Sequence, residues 1–156
     1  MVAAETCDIK CCKKNAADIY EGLSELQQLL IKPYMRIFEQ MEKAFPRGKP
    51  RLTIKIVNDQ MCPLFHEDNI HIRFITTLTG PGTQWLADED VLRKNLGKGG
   101  NKSIIKPDSM LRELASSDIA IMKGGKAKGR KGLVHRSPPI DPKDGIYRLI
   151  IRYDLM

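Results

Sequence analysis

His66 and Asp68 stand two residues apart in the segment Phe-His-Glu-Asp-Asn that begins at Phe65. In extended chain, residues i and i+2 project to the same side. An imidazole and a carboxylate placed so can ligate one metal ion from adjacent positions. The chain has only three histidines, His66, His71 and His135, and the last lies far downstream in a segment that reads as a strand. His66, Asp68 and His135 would offer two nitrogens and one carboxylate oxygen. Such a set on one face of a metal leaves positions open for substrate and oxygen, as in non-haem Fe(II) oxygenases. A lone His-x-Asp is a short pattern that chance also produces, and most single histidines are surface or hydrogen-bonded core residues. Cys62, four residues before His66, offers a competing chemistry. A thiolate added to the same three groups suits a closed tetrahedral zinc site, structural or metal-carrying.

Arg148 falls in the closing segment, beyond His135. A guanidinium on a strand after the distal histidine can pair bidentately with a carboxylate, as the far end of a dicarboxylic cosubstrate requires. Arg152 shares its face and is the rival for that role. An exposed Arg148 paired with Asp144 or Asp154 is the plainer alternative. Trp85 is the only tryptophan and reads as core rather than as a substrate platform. Arg73 lies opposite the Ile70 and Ile72 set, as an ion-pairing or a site residue. His71 shares that opposite face and is left out of the metal set.

These residues need elements to hold them. Ile19, Leu23, Leu26 and Leu30 recur at helical spacing, which predicts an amphipathic helix over 15–31, with Asn15 as N-cap. Pro33 interrupts it. A second helix follows, with Ile37, Phe38, Met41 and Phe45 as its apolar face, and it ends at Pro46. The period then changes to two. Strands are expected at 52–56, at 69–78 with Ile70, Ile72, Phe74, Thr76 and Leu78 on one face, at 118–122, at 133–136 and at 146–153. Thr-Gly-Pro-Gly at 79–82 is a turn, 88–96 a short helix, and 97–102 and 124–132 are loops. Two helices followed by six to eight short strands argue against a parallel doubly wound sheet. The expected fold is mostly β with N-terminal helices (α+β). Residues 1–14 form a flexible tail and 15–156 a single domain, with a helical layer over 15–47 and a sandwich or barrel over 50–156.

The 156-residue length fits one domain. At 42% hydrophobic and 29% charged, the chain is of globular composition and not disordered throughout. No apolar run suits a membrane span and no h-region marks a secretory signal, so the cytoplasm is the expected compartment. Cys7, Cys11, Cys12 and Cys62 are then expected as reduced thiols, with a metal site in the tail or a redox pair as the alternative. The net charge of +7 is local: 92–106 carries five basic residues and no acid, and 122–136 six and no acid. These stretches are either solvated loops or a surface for an anionic or nucleic-acid partner.

The motifs F-H-x-D-N, G-P-G-T-x-W and H-R-S-P-P, in that order between Phe65 and Asp154, resemble those of an uncharacterised bacterial family. The same order is similar to the Fe(II)/2-oxoglutarate-dependent dioxygenase superfamily of prolyl-hydroxylase type. That resemblance implies a double-stranded β-helix (jelly-roll) core packed by the two helices. It implies His66, Asp68 and His135 as iron ligands and Arg148 as the partner of the distal carboxylate of 2-oxoglutarate. Where relatives carry a tyrosine, this sequence has Leu78, and Thr77 or Tyr147 would substitute. The substrate of such an enzyme is not legible.

Overall fold

The computed structural model of the protein describes residues 15–127, 129 and 131–156. The expected N-terminal tail with Cys7, Cys11 and Cys12 lies outside these residues, as do Lys128 and Arg130. In chain order the elements are helices α1 (Ala16–Glu21), α2 (Glu25–Ile31) and α3 (Met35–Ala44), strands β1 (Pro50–Val57), β2 (Ile72–Thr79) and β3 (Gln84–Leu86), helix α4 (Asn101–Ile104), and strands β4 (Arg112–Glu113), β5 (Ile119–Lys123), β6 (Val134–Arg136) and β7 (Arg148–Leu155).

Asn15 caps α1, its side chain accepting from Asp18 N at 2.9 Å. The single helix expected over 15–31 is two helices. Gly22 ends the first, and Ser24 starts the second with a capping box, in which Ser24 accepts from Gln27 N and Gln27 from Ser24 N. The restart turns Leu26 and Leu29 outward, to about two-thirds exposure, while Ile19, Leu23 and Ile31 stay buried. A 3₁₀ turn at Lys32–Tyr34 leads into α3.

Four strands form an antiparallel sheet in the order β1-β7-β2-β5, and three form a second in the order β4-β3-β6. His66 extends the second sheet through an antiparallel bridge to His135, with His66 N and His135 N each 3.0 Å from the other residue's carbonyl oxygen. The expected strands are present with shifted ends: the second starts at Ile72 and the last at Arg148, leaving Ile146 and Tyr147 exposed. The short helix expected over 88–96 is two 3₁₀ turns, Asp88–Asp90 and Arg93–Asn95. Strands β3 and β4 were not legible, since two or three residues are too few to set a period.

The helices cover one face of the four-stranded sheet. Ile19, Phe38 and Met41 pack there on Leu52, Phe74 and Tyr153. Phe38 stacks on Tyr153 (4.2 Å between ring centroids) and meets Phe74 edge-on. Val57, Ile75, Met122 and Ile150 come from the sheet's other face and meet Leu114 and Leu133, joining it to the smaller sheet. Phe65, Leu86 and Val134 form a third core with Val91 and Ile104 behind the smaller sheet. The turn between β2 and β3 requires its glycines: a Cβ on Gly82 would lie 1.8 Å from Leu114 O, and Gly80 has φ +81°. No helix among the described residues is long and apolar enough to cross a membrane.

Candidate metal centre

The His66–His135 bridge brings the two histidines side by side, with ring centroids 4.6 Å apart. Asp68, two residues on, turns its carboxylate toward both. His135 Nε2 lies 3.1 Å from Asp68 Oδ2, and His66 Nε2 lies 3.6 Å from Asp68 Oδ1. One donor atom from each of the three residues falls within 4.8 Å of the others. Donors about 2.1 Å from a shared ion, at right angles, lie about 3 Å apart, so the carboxylate-to-imidazole distances fit.

The tautomers fit as well. His66 Nδ1 lies 2.9 Å from Leu64 O, and His135 Nδ1 lies 3.1 Å from Leu133 O. A carbonyl only accepts, so each Nδ1 carries a proton, and each Nε2, which faces the Asp68 carboxylate, would offer its lone pair to an ion that displaces its own proton. The segment before His66 is pinned by Asn101, which accepts from Phe65 N at 2.8 Å and donates to Pro63 O at 2.8 Å. Arg93 donates to Glu67 (2.5 Å) and to Gly132 O (2.7 Å) and pairs with Asp88. It thereby ties the segment carrying His66 and Asp68 to the approach to His135. Arg93 belongs to the basic stretch 92–106, as does Lys106, whose ammonium donates to Glu89 O.

Arg73, left open by the sequence between an ion pair and a site role, anchors the Asp68 carboxylate. It pairs with Asp68 through Nη1 and holds Asp154 with two bonds, Nε to Oδ1 at 2.6 Å and Nη2 to Oδ2 at 3.0 Å. Burial opposes the Asp68 charge, but hydrogen bonds with His135 and His66 and the Arg73 charge outweigh it, holding the carboxyl far below the usual range. The hydrogen bond to Asp68 raises His66 against its own desolvation. Burial likewise works against the Arg73 charge and is outweighed by Asp154.

A cavity of about 90 Å³ opens between the sheets at this cluster, lined by His66, Asp68 and His135 and also by Cys62, Arg148 and Arg152. Arg148 is 1% exposed. Its Nε donates to Pro81 O at 2.7 Å and its Nη2 to Thr77 Oγ1 at 3.4 Å. Neither Asp144 nor Asp154 pairs with it; Asp154 serves Arg73 and lies 3.2 Å from Arg152 Nε. Among the described residues no carboxylate comes within ion-pair distance of Arg148. Burial pushes its guanidinium down to about 10, opposed by the charge of Glu113. Thr77 thus supports Arg148 from behind, and Tyr147 is exposed and lines none of this cavity. Cys62 is exposed at the mouth, outside the group of close donors. His71 is turned away and faces Phe45, with centroids 6.1 Å apart. Trp85 is half-buried, in register with His135, with Arg112 over its ring at 5.2 Å. In the sequence, Asp154 reads only as a partner of Arg148. Its alternation with Arg152 and Arg148 along β7 was the available signal.

These features describe a class: an antiparallel β protein with helices on one side and a His-Asp-His cluster in the cavity between its sheets. The chain belongs to DUF1826, a family described as proteins of unknown function, whose profile matches residues 3–154. No curated protein and no solved structure matches it.

Proposed function

We propose that this protein is a non-haem Fe(II)- and 2-oxoglutarate-dependent oxygenase on a double-stranded β-helix, and that it acts on a substrate still to be identified. The observation that carries the reading is the pairing of two features in one cavity. Three side chains that can ligate one ion line the same cavity as a buried arginine that has no carboxylate within ion-pair distance. An uncompensated buried cation is costly, and the distal carboxylate of 2-oxoglutarate is the charge that would relieve it. Arg148 suits this better than Arg152, which already has Asp154 beside it.

The strand order supports the fold half of the reading. With His66 counted as a short strand, the chain crosses to the other sheet at nearly every step, only β3 and β4 following one another in the same sheet. Such winding makes two facing sheets with a mouth at one end. A reducing cytoplasm would suit both ferrous iron and the exposed thiol of Cys62.

When bound, iron, keto acid and dioxygen supply the oxidant: one oxygen atom goes to the substrate C–H, the other to succinate, and CO₂ leaves. The chain's own residues do the rest. His66, Asp68 and His135 would hold the ion through Nε2, a carboxylate oxygen and Nε2. Leu64 O and Leu133 O fix the imidazole tautomers. Arg73 fixes Asp68, and Arg148, set by Pro81 O and Thr77, orients the keto acid.

Anaerobic calorimetry tests this. The Fe(II)-loaded protein is expected to bind 2-oxoglutarate, the metal-stripped protein to bind it far more weakly, and Arg148→Gln to lose at least about tenfold in affinity. Metal binding with no metal-dependent binding of the keto acid, and weakened by Cys62→Ser, would overturn it in favour of a closed zinc site.

A further inference from the structure

Two buried donor atoms in the cavity wall make no hydrogen bond. Thr53, 4% exposed on β1, has no hydrogen bond to its Oγ1, and Arg152 on β7 has none to its Nε. They are neighbours, since Thr53 and Arg152 are register partners across β1 and β7. The 3.2 Å approach of Arg152 Nε to Asp154 is an ion-pair distance without hydrogen-bond alignment, and both Asp154 oxygens already accept from Arg73. A single orphaned buried donor is uncommon in a folded protein; two side by side on a cavity wall call for a ligand. Lys55 lies next along the same face of β1, and it too lines the cavity.

The charge of the lining points to the sign of that ligand. Lys55, Arg73, Arg136, Arg148 and Arg152 line the cavity with one acid, Asp68. Asp154 behind them offsets one more charge. A divalent metal would deepen the positive excess, and a dianionic keto acid at Arg148 would not cancel it.

Resting on the oxygenase reading, we propose that Thr53, Arg152 and Lys55 form an oxyanion subsite for the substrate, which is therefore a small molecule bearing a carboxylate or a phosphate-type group. The rows of the sheet separate this subsite from the one at Arg148. Arg73 pairs with Asp154 across β2 and β7, Ile75 with Arg152 in the next row, and Arg148 lies two rows further. Four residue steps along the strand separate Arg152 from Arg148 by about 13 Å. The substrate anion is thus held one row from the arginine that anchors Asp68, beside the metal cluster. A 90 Å³ cavity admits the reacting end of a small acid rather than a folded partner. Met61 and Cys62, exposed at the mouth, leave the rest of the molecule outside.

The test is calorimetric, on Fe(II)-loaded protein under argon with 2-oxoglutarate saturating, using acetate and methylphosphonate as separate probes. At least one probe is expected to bind saturably, and the tighter one identifies the anion class. That affinity should fall about tenfold or more in Arg152→Gln and Thr53→Val and recover in part in Arg152→Lys. The affinity for 2-oxoglutarate should change less than about twofold in these variants. Thr53→Val removes a hydroxyl that makes no bond, so its melting temperature should hold or rise, which a structural hydroxyl would not allow. Equal probe affinity in wild type, Arg152→Gln and Thr53→Val, or loss only in Arg148→Gln, would overturn the subsite. Should 2-oxoglutarate itself fail to bind, the oxygenase reading falls; the same probes, without keto acid, still distinguish Arg152 from Arg148.

Discussion

Along β7, Leu149, Ile151, Tyr153 and Leu155 pack toward the helices, while Arg148, Arg152 and Asp154 turn to the other face. The same alternation runs through β1, with Leu52 and Ile54 against Thr53 and Lys55, and through β2, with Phe74 against Arg73. The two faces are held by different physics. The helix face gains from burial alone, which is non-directional and tolerates exchange of one apolar side chain for another. The cavity face keeps charges out of water, so each must find a partner at bonding geometry. Arg73 does so with two aspartates; Arg148 has hydrogen bonds but no carboxylate, and Arg152 Nε and Thr53 Oγ1 have no hydrogen bond. Both faces add to stability, the first through apolar burial and the second also through directed pairing, and only the second leaves polar groups incompletely paired.

The largest expected effect breaks the helix face. Phe38→Ala removes a ring stacked on Tyr153 and edge-on to Phe74, and should cost about 3–5 kcal/mol in chemical denaturation. Metal binding should then fail only because the sheet is lost. On the other face, Arg73→Met should leave Asp154 buried without its bidentate partner and cost about 3 kcal/mol. It should also lower metal affinity by about 10–100-fold, because Asp68 loses its anchor. Asp68→Ala should abolish the stabilisation by metal, which in wild type amounts to about 2.7 kcal/mol at a hundredfold excess over Kd. A melting temperature of Asp68→Ala that still rises on adding metal would contradict the assigned ligands. The smallest effect sharpens the contrast from outside both faces. Leu26→Ser on exposed α2 should change stability by no more than about 0.5 kcal/mol, by the same denaturation assay.

What could be read from sequence follows the range of the interactions. The pattern of residues two apart in β1, β2 and β7 and the spacing of His66 and Asp68 are local, so the strands and that pair were legible, whereas His135 is distant in sequence and joined them only as a candidate third ligand and through the motif resemblance. The break at Gly22 was missed because the apolar steps of Ile19, Leu23, Leu26 and Leu30 outweighed a capping box lying inside them. Strands β3 and β4 are too short for periodicity and exist through pairing with distant residues. The Arg73–Asp154 bond spans 81 residues. No local rule connects them, although the charges alternating along β7 were visible. The role of Arg93 was hidden by its place in a basic stretch that reads as solvated or partner-binding.

The most direct test of the central claim is anaerobic visible absorption of metal-stripped protein titrated with Fe(II) and then with 2-oxoglutarate. Chelation of the keto acid to iron gives a charge-transfer band. The band is expected in wild type, absent in His135→Ala, and reached only at higher keto-acid concentration in Arg148→Gln. A folded wild-type protein that binds Fe(II) at His66, Asp68 and His135 yet gives no band at any keto-acid concentration would contradict it.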